Sequence, residues 1–332
     1  MALANLDAVS PSLAWQLTSC SHAVGLQRSL PRMVPGARTQ TTSAALGTAA
    51  HKVLEVALQD GPFDAELTRE WFETTWFEAV ESVRGTCVDQ SPPERWRRFS
   101  IIKRGARRLV SELRSEVASN GAVPFVEAEL VGMNGQLHGR PDIVMAFADG
   151  SATVIDFKTG DHSEDDPTDR ELNQLDLYTV LVAEDRHLSV REIRVARCDG
   201  PSWAGVPDVA RAQQAAQRGI AALVRFNDSL SDTIGLANPG EACTFCRQVL
   251  RCDVAWHSAE PRFVGVAGVV NAAYEDAGQM TLKIVDGDTQ YVIVGCPTNP
   301  DLVGCEIRVA HVRDLGDGKY RWLAGRSLMA SS

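Results

Sequence analysis

The chain has 332 residues, a formal net charge of −10, and hydrophobic and charged fractions of 44% and 23%. These fractions are typical of a folded globular protein and exclude a disordered chain. Eight cysteines without a secretory leader or a long apolar run argue against a secreted disulfide scaffold and a membrane protein, so we expect a soluble cytoplasmic protein.

The first strongly patterned segment is a predicted helix after Thr41, Thr42 and Ser43, residue types that cap helix N-termini. Its apolar stripe consists of Leu46, Ala50, Val53, Leu54, Ala57 and Leu58. His51 flanks this stripe, within reach of a metal site at the helix edge. A lone histidine in such a position is more often an ordinary surface or core residue, so its interpretation depends on the motifs that follow.

A basic block lies between residues 95 and 114. It comprises Arg95, Arg97, Arg98, Lys103, Arg104, Arg107, Arg108 and Arg114, on a predicted helix whose inner face includes Ile101, Ile102, Leu109, Val110 and Leu113. The whole chain is acidic, whereas phosphate binding needs local positive potential. Two interpretations of the block stay open: a solvated helix face and a contact with nucleic-acid phosphates.

The dipeptide Asp149-Gly150 separates two apolar runs, 143–148 and 152–157, and predicts a β-hairpin. A two-residue loop would send Asp142 and Asp156 to opposite faces of the sheet. A three-residue loop over 148–150, with its glycine in the left-handed conformation, places Asp142 directly opposite Asp156. Because side chains alternate along a strand, Lys158 then shares their face. We therefore predict the three-residue loop, or a bulge with the same effect.

Two carboxylates and a lysine at one place are what a metal-dependent phosphodiesterase needs. Carboxylates bind hard divalent cations, the cation activates water, and an ammonium group stabilises the negative charge that develops on phosphate. An Asp-x-Lys pair alone is weak evidence, since an ordinary solvated strand carries the same residues. Downstream, residues 171–178 predict a helix on which Gln174 and Tyr178 lie on one face. The complete order His, Asp, Asp-x-Lys, Gln-x-x-x-Tyr is much rarer by chance.

Three cysteines follow a predicted helix over residues 208–230: Cys243 and Cys246 in a Cys-x-x-Cys pair and, after five intervening residues, Cys252. A group of three requires a fourth thiolate to complete a metal site, and Cys20 is the candidate. Four thiolates suit a [4Fe–4S] cluster or a zinc ion, and the spacing alone leaves these nearly even. Either would constrain the unfolded chain as a long-loop cross-link does.

The chain turns β-rich after about residue 260, which predicts one domain over 1–260 and another over 261–332. Strands are predicted over 264–270, 280–285, 290–295 and 306–312, and from 320 onward. Five short strands suggest a small barrel of the OB type, a fold that often binds single strands. Tyr291, Tyr320, Arg321 and Trp322 are the candidates for such binding, although aromatic packing in the core is the commoner arrangement.

With these motifs the chain resembles the PD-(D/E)XK nuclease superfamily, and within it the iron–sulfur branch of RecB-like exonucleases, which includes AddB and CRISPR-associated exonucleases. The resemblance covers roughly residues 10–258 and implies an α/β fold with a restriction-endonuclease-like mixed sheet flanked by helices. In that branch one cysteine precedes the nuclease core and three follow it with the C-x2-C-x5-C spacing. The resemblance therefore favours a [4Fe–4S] cluster over zinc, held by Cys20, Cys243, Cys246 and Cys252.

The resemblance also implies roles for individual residues. The ligands of Mg or Mn would be His51, Asp142, Asp156 and the backbone carbonyl of Phe157. Lys158 would position the attacking water and stabilise the phosphate, while Gln174 and Tyr178 would orient the substrate strand and the lysine. Such nucleases often carry an acidic strand before the first aspartate, and either Glu127 or Glu129 fits that position.

The expected function is that of a metal-dependent DNA exonuclease acting on single-stranded ends. An alternative is a non-catalytic DNA-binding or scaffolding subunit of a recombination or repair complex, and an RNA substrate stays open as well. The chain carries no Gly-x-x-x-x-Gly-Lys-Ser/Thr loop. It therefore departs from the large RecB and AddB proteins, and a helicase or recombination partner would act in trans.

Overall fold

The computed structural model describes residues 3–29, 41–59, 63, 67–87, 89–160, 166–276, 278–297, 300–323 and 327–331. Its contacts divide the chain into two units. The larger unit consists of Leu6–Thr18 and Arg32–Arg225, and the smaller unit of Met1–Asn5, Ser19–Pro31 and Phe226–Ser332.

Helices lie in both units. They are α1 (Pro11–Arg28), α2 (Thr42–Gln59), α3 (Arg69–Arg84), α4 (Phe99–Asn120), α5 (Asp169–Asp185), α6 (Val209–Asp228) and α7 (Asp253–Trp256). Cys20 interrupts α1 with an extended backbone, φ −162° and ψ 96°. A membrane-spanning helix would need a longer apolar stretch than any helix in the described ranges offers.

The larger unit contains a mixed five-stranded sheet and a separate hairpin. The strands are β1 (Val123–Val126), β2 (Leu130–Gly132), β3 (Leu137–Gly139), β4 (Ile143–Ala146), β5 (Ser151–Lys158), β6 (Ser189–Arg197) and β7 (Trp203–Gly205). The sheet order is β1-β4-β5-β6-β7, antiparallel except for the parallel pair β5–β6, and β2 pairs with β3. This arrangement agrees with the expected restriction-endonuclease-like α/β core.

The β4–β5 hairpin has the predicted three-residue loop. Ala146 pairs with Ala152, and the Phe147 amide donates to the Ser151 carbonyl at 2.9 Å. Only residues 148–150 remain in the loop, and Gly150 adopts a φ of +79°, which glycine tolerates without strain. The register is therefore the one that places Asp142 opposite Asp156, and the prediction is confirmed.

Alternation along these strands separates two buried layers. Ile143, Met145, Ile155 and Phe157 belong to a core shared with residues of α2, α3 and α4, whereas Asp156 faces α5. The predicted stripe of α2 is buried at all six positions. The sequence therefore placed α2 correctly because burial follows the helical period.

Helix α4 carries much of the basic block, and part of that charge is used within the larger unit. Arg98 pairs with Asp199, Lys103 pairs with Glu73, Arg108 donates to the Arg197 carbonyl, and Arg114, which is buried, donates to the Ala57 carbonyl. These contacts fix α4 against its neighbours. The expected inner face is confirmed except at Ile101, which is 38% exposed.

The smaller unit contains a seven-stranded sheet where five strands were predicted. Its strands are β8 (Gly265–Asp276), β9 (Gln279–Asp286), β10 (Thr289–Cys296), β11 (Glu306–Ala310), β12 (Arg313–Gly316), β13 (Lys319–Arg321) and β14 (Leu328–Ser331), in the order β12-β13-β10-β9-β8-β11-β14. Strands β11 and β12 are separated in sequence by only His311 and Val312, yet β11 pairs with β8 and β12 pairs with β13. The added strands are short and weakly patterned, which is why the sequence did not indicate them.

The aromatic residues proposed for strand binding lie at the core of this sheet. Tyr291, Tyr320 and Trp322 pack against the cluster that contains Leu282 and Ile293. Arg321 is exposed. The commoner arrangement, core packing, therefore holds for the three aromatic candidates.

Candidate active site

A row of three acidic residues crosses the ends of β1, β4 and β5. Val126 pairs with Ile143 and Ile143 pairs with Ile155, so Glu127 lies opposite Asp142 and Asp142 lies opposite Asp156. The Glu127 amide donates to the Asp142 carbonyl at 3.0 Å. Glu127 has a φ of +49°, a strained conformation for a residue with a β-carbon, and such strain is concentrated at functional sites.

His51 of α2 completes a tight ligand group with two of these acids. Its Nδ1 lies 3.4 Å from Glu127 Oε1 and 3.2 Å from Asp142 Oδ1. One ligand atom from each of these three residues lies within 4.8 Å of the other two, which is close enough for all three to bind one metal ion. The centroid of the Phe157 ring lies 5.4 Å from that of the imidazole, so the two rings pack against each other.

The protonation of His51 reflects this environment. Burial disfavours the imidazolium, but hydrogen bonds to Asp142 and Glu127 outweigh burial and raise the pKa of His51 to about 10. Without a cation, the site therefore holds a proton between its two carboxylates. A divalent cation at the same place would replace that proton, because a metal-binding imidazole is neutral.

Asp156 and Lys158 form the second half of the site. Asp156 is 1% exposed, and its Oδ2 lies 2.6 Å from Lys158 Nζ. Burial raises the pKa of Asp156, while the Lys158 ammonium opposes that change. The Asp156–Lys158 contact confirms that the two side chains share one face of β5.

Helix α5 holds the lysine and the acid from the other side. Gln174 accepts from Lys158 Nζ at 3.2 Å through Oε1 and donates to Asp156 Oδ1 at 2.9 Å through Nε2. Tyr178 lies one turn further along, 3.3 Å from the same Nε2, and its hydroxyl donates to the Arg140 carbonyl at 3.0 Å. Gln174 and Tyr178 thus act as one unit, which ties α5 to β5 and to the segment before Asp142.

Gly139, at the end of β3, allows α5 to pack closely against that strand. A β-carbon at Gly139 would lie 2.5 Å from Leu181 Cδ1 and 3.1 Å from Tyr178 Cε1. A side chain at this position would require Leu181 to shift, so the glycine lets β3 pack directly on the helix that carries Tyr178.

The donor set fits a divalent cation. Asp156 Oδ2 is buried, and the Lys158 ammonium lies 2.6 Å from it. His51, Glu127 and Asp142 supply one nitrogen and two carboxylate ligands next to it, a mixture that suits Mn and Mg.

The structure distinguishes between the two acidic residues that the sequence left open, Glu127 and Glu129. Glu127 contacts His51, whereas Glu129 is exposed, so Glu127 is the acidic residue of the site. Asp156 was expected to bind the metal together with His51 and Asp142. It contacts Lys158 and Gln174 and lies outside the tight group, and its role as a metal ligand stays a prediction. The pairing of β1 with β4 brings Glu127 to Asp142. These two strands are not adjacent in the chain, so no local pattern of residues predicts their register.

Phe157 contacts the site through its amide and its ring. The amide donates to Asp142 Oδ2 at 2.6 Å, and this hydrogen bond orients the carboxylate toward the end of β5. The role of the Phe157 carbonyl as a metal ligand stays a prediction.

The four cysteines of the sequence motif all lie in the smaller unit. Cys243 and Cys252 are buried in an apolar cluster with Val249 and Ala255, and Cys246 packs against it. Burial raises the pKa of Cys246, and the charges of Cys20, Cys243 and Cys252 raise it further, which means that the four thiols act on one another electrostatically. Among the described residues these sulfur atoms do not form a group as tight as 4.8 Å.

Comparisons with known proteins give the family and little more. The crystal structure of SSO0001 matches with 18% identity over 73% of this chain and 96% of that chain, at a TM-score of 0.28, which is too low to carry a structural argument. No curated protein matches the chain. The family model of the PD-(D/E)XK nuclease superfamily matches residues 8–253, a range that includes the acidic row, Lys158 and all four cysteines. Because this match extends over well more than half of its 332 residues, the chain belongs to the PD-(D/E)XK nuclease superfamily.

Proposed function

We propose that this protein is a Mg- or Mn-dependent exonuclease that hydrolyses DNA from single-stranded ends. Membership of the superfamily indicates a metal-dependent nuclease with a DNA substrate. The observation that carries the proposal is the acidic row of Glu127, Asp142 and Asp156, flanked by His51 and Lys158 at the ends of three paired strands. Specificity for ends and for single strands is the part taken from the RecB-like resemblance.

Each residue has a definite task in this proposal. His51, Glu127 and Asp142 would hold the cation, with Asp156 and the Phe157 carbonyl as further ligands. The bound cation would supply the Lewis acid and the activated water. Lys158, held by Asp156 and Gln174, places a positive charge where a phosphate oxygen becomes more negative. Tyr178 keeps the Arg140 backbone, and so the approach to Asp142, in place.

The function is tested with end-labelled single- and double-stranded DNA, Mg or Mn, and anaerobically purified protein. The wild type is expected to shorten single strands from one end, and the product ladder gives the polarity. Asp142→Asn is expected to be inactive, because it removes a ligand that His51 and the Phe157 amide orient. Asp169→Asn, an exposed acid at the start of α5, is the matched control.

Two outcomes would contradict the proposal. Equal cleavage by wild type and Asp142→Asn would identify a contaminating nuclease. Binding of DNA without cleavage by the wild type, with either metal, would favour the alternative of a non-catalytic DNA-binding or scaffolding subunit.

A [4Fe–4S] cluster on Cys20, Cys243, Cys246 and Cys252 is the second part of the proposal. Two observations support it: the mutual electrostatic effect of the four thiols and the extended backbone at Cys20, which breaks α1 at the candidate ligand. Buried thiols near one another are poor thiolates by themselves, and a cationic cluster would relieve that cost. The same cysteines would suit zinc, and metal analysis separates the two.

Replacing Cys20 by alanine tests this assignment. We expect Cys20→Ala to lose most of its iron and visible absorption, together with solubility, since three thiolates leave one iron without a protein ligand. Cys305→Ala, which changes a cysteine outside the motif, is the control and should keep its iron. A fully loaded and well-folded Cys20→Ala protein would refute Cys20 as a ligand.

The remaining parts of the proposal concern the domains of the protein, its location and its partner. We propose a nuclease domain over residues 1–260, an OB-like barrel over 261–332, a cytoplasmic location and a helicase or recombination partner in trans. The barrel is supported by the order of its strands: if β11 and β12 act as one strand bent at His311, which has a φ of +59°, the sheet order returns to its start. Closure of that kind removes the exposed edges that a sheet otherwise presents.

A further inference from the structure

Two adjacent rows of side chains cross the outer face of the sheet in the smaller unit. The first row runs through Arg313, Arg321, Val294, Thr281 and Tyr274 on β12, β13, β10, β9 and β8. The second runs through Lys319, Val292, Lys283 and Ala272 on β13, β10, β9 and β8. Residues paired in register point to the same side of a sheet, so the nine side chains form one surface.

This surface faces away from the core. Residues that alternate with the rows, such as Leu282 and Ile293, are fully buried in the core of the unit. In contrast, Arg313, Lys319 and Arg321 are exposed, and Tyr274 is 53% exposed. The surface is therefore accessible on the smaller unit considered by itself.

Its charge is the opposite of that of the chain. The two rows carry four cations and no carboxylate, although the protein has a net charge of −10. None of the four cations forms an ion pair with a carboxylate in the part of the chain that the structure describes. Four cations in two adjacent rows, with no carboxylate in either row, raise the local positive potential and favour a polyanionic partner.

An exposed aromatic ring lies at the end of the first row. Lys283 Nζ lies 5.3 Å from the centroid of the Tyr274 ring, a cation–π contact that holds the ring against the sheet. Tyrosines on a sheet surface beside cations are the arrangement on which unpaired bases stack while phosphates follow the positive charges. A duplex keeps its base faces covered, so a stacking ring favours a single strand.

We propose that this cationic face, formed by Tyr274, Lys283, Arg313, Lys319 and Arg321, binds single-stranded DNA. Tyr274 stacks on a base and the four cations contact the backbone phosphates. The first row crosses five strands, roughly 19 Å at the usual strand spacing, which is enough for a few nucleotides. This inference extends the proposed action on single strands and names a surface, outside the acidic site, that holds them.

The test is fluorescence anisotropy with a labelled oligothymidylate of about 16 nucleotides and full-length protein in EDTA, so that cleavage does not interfere. Tyr274→Ala is expected to weaken binding by about fivefold to 150-fold, the usual value of one base stack, whereas Tyr274→Phe keeps most of the affinity. The Lys283→Gln, Lys319→Gln, Arg321→Gln triple variant should lower the slope of log affinity against log salt by about 2. Arg262→Gln, which removes an exposed arginine elsewhere in the unit, is the matched control.

Several outcomes would overturn the inference. Unchanged affinity and unchanged salt slope in the face variants would reject the surface. Equal losses in the Arg262→Gln control would show a general charge effect, and equal affinity for a duplex, with no effect of Tyr274→Ala, would exclude stacking. The proposed function is judged separately. If Asp142→Asn stops cleavage and the face variants weaken binding, both statements hold. If the wild type binds through this face but never cleaves, only the nuclease proposal fails.

Discussion

Replacing Lys158 by alanine is expected to lower the rate of DNA hydrolysis by about 10²- to 10³-fold, the usual cost of removing one electrostatic contact to a transition state. Lys158 is held by Asp156 Oδ2 and Gln174 Oε1, so its ammonium is in place before substrate arrives. The lysine is not a metal ligand. The affinity for Mn should therefore remain within a few-fold of the wild type, because the carboxylates and His51 are unchanged.

The measurement is single-turnover cleavage of an end-labelled single strand at saturating enzyme and metal. Because the Lys158 charge lowers the pKa of Asp156, its loss raises that pKa further, so the rates of the two proteins are compared over a full pH profile and not at a single pH. Lys52→Ala is the matched control, since Lys52 follows His51 on α2 and pairs with Glu55 at the surface. A Lys158→Ala rate close to that of the wild type would exclude Lys158 from catalysis.

Metal binding is expected to strengthen by about tenfold per pH unit between neutral pH and the pKa of His51, which is about 10. Below that pH the metal-free site carries a proton on His51, held by Asp142 and Glu127, and the cation must displace it. Titration calorimetry with Mn in buffers of different ionisation enthalpy counts the protons released. His51→Asn should lose most of the pH dependence, because it removes the group that is protonated.

Stability of the metal-free protein should show the matching trend. The folded pKa of His51 lies above its ordinary value of 6.5, so its contribution is fully present below pH 6.5 and is lost as the pH rises through about 10. The difference between the melting temperatures of the wild type and His51→Asn should therefore shrink over that window. A metal affinity independent of pH, or no protons released on binding, would contradict the arrangement of His51 between two acids.

Local patterns in the sequence were enough to predict the elements of the active site and one of its strand registers. The stripe of α2 and the Gln174–Tyr178 face of α5 follow from helical periodicity, which depends only on local spacing. The β4–β5 register followed from a turn, because a hairpin loop of three residues with a left-handed glycine fixes which residues face each other. Asp142, Asp156 and Lys158 were therefore placed without any long-range information.

The contacts between segments that are distant in the chain could not be predicted in this way. The choice of Glu127 over Glu129 depends on β1 pairing with β4 across an intervening hairpin, and His51 reaches that acid through the packing of α2. The cationic face of the smaller unit depends on five strands whose order is not their order in the chain. Such contacts are set by the packing of whole elements and by the closure of long loops, and no local pattern of residues encodes them.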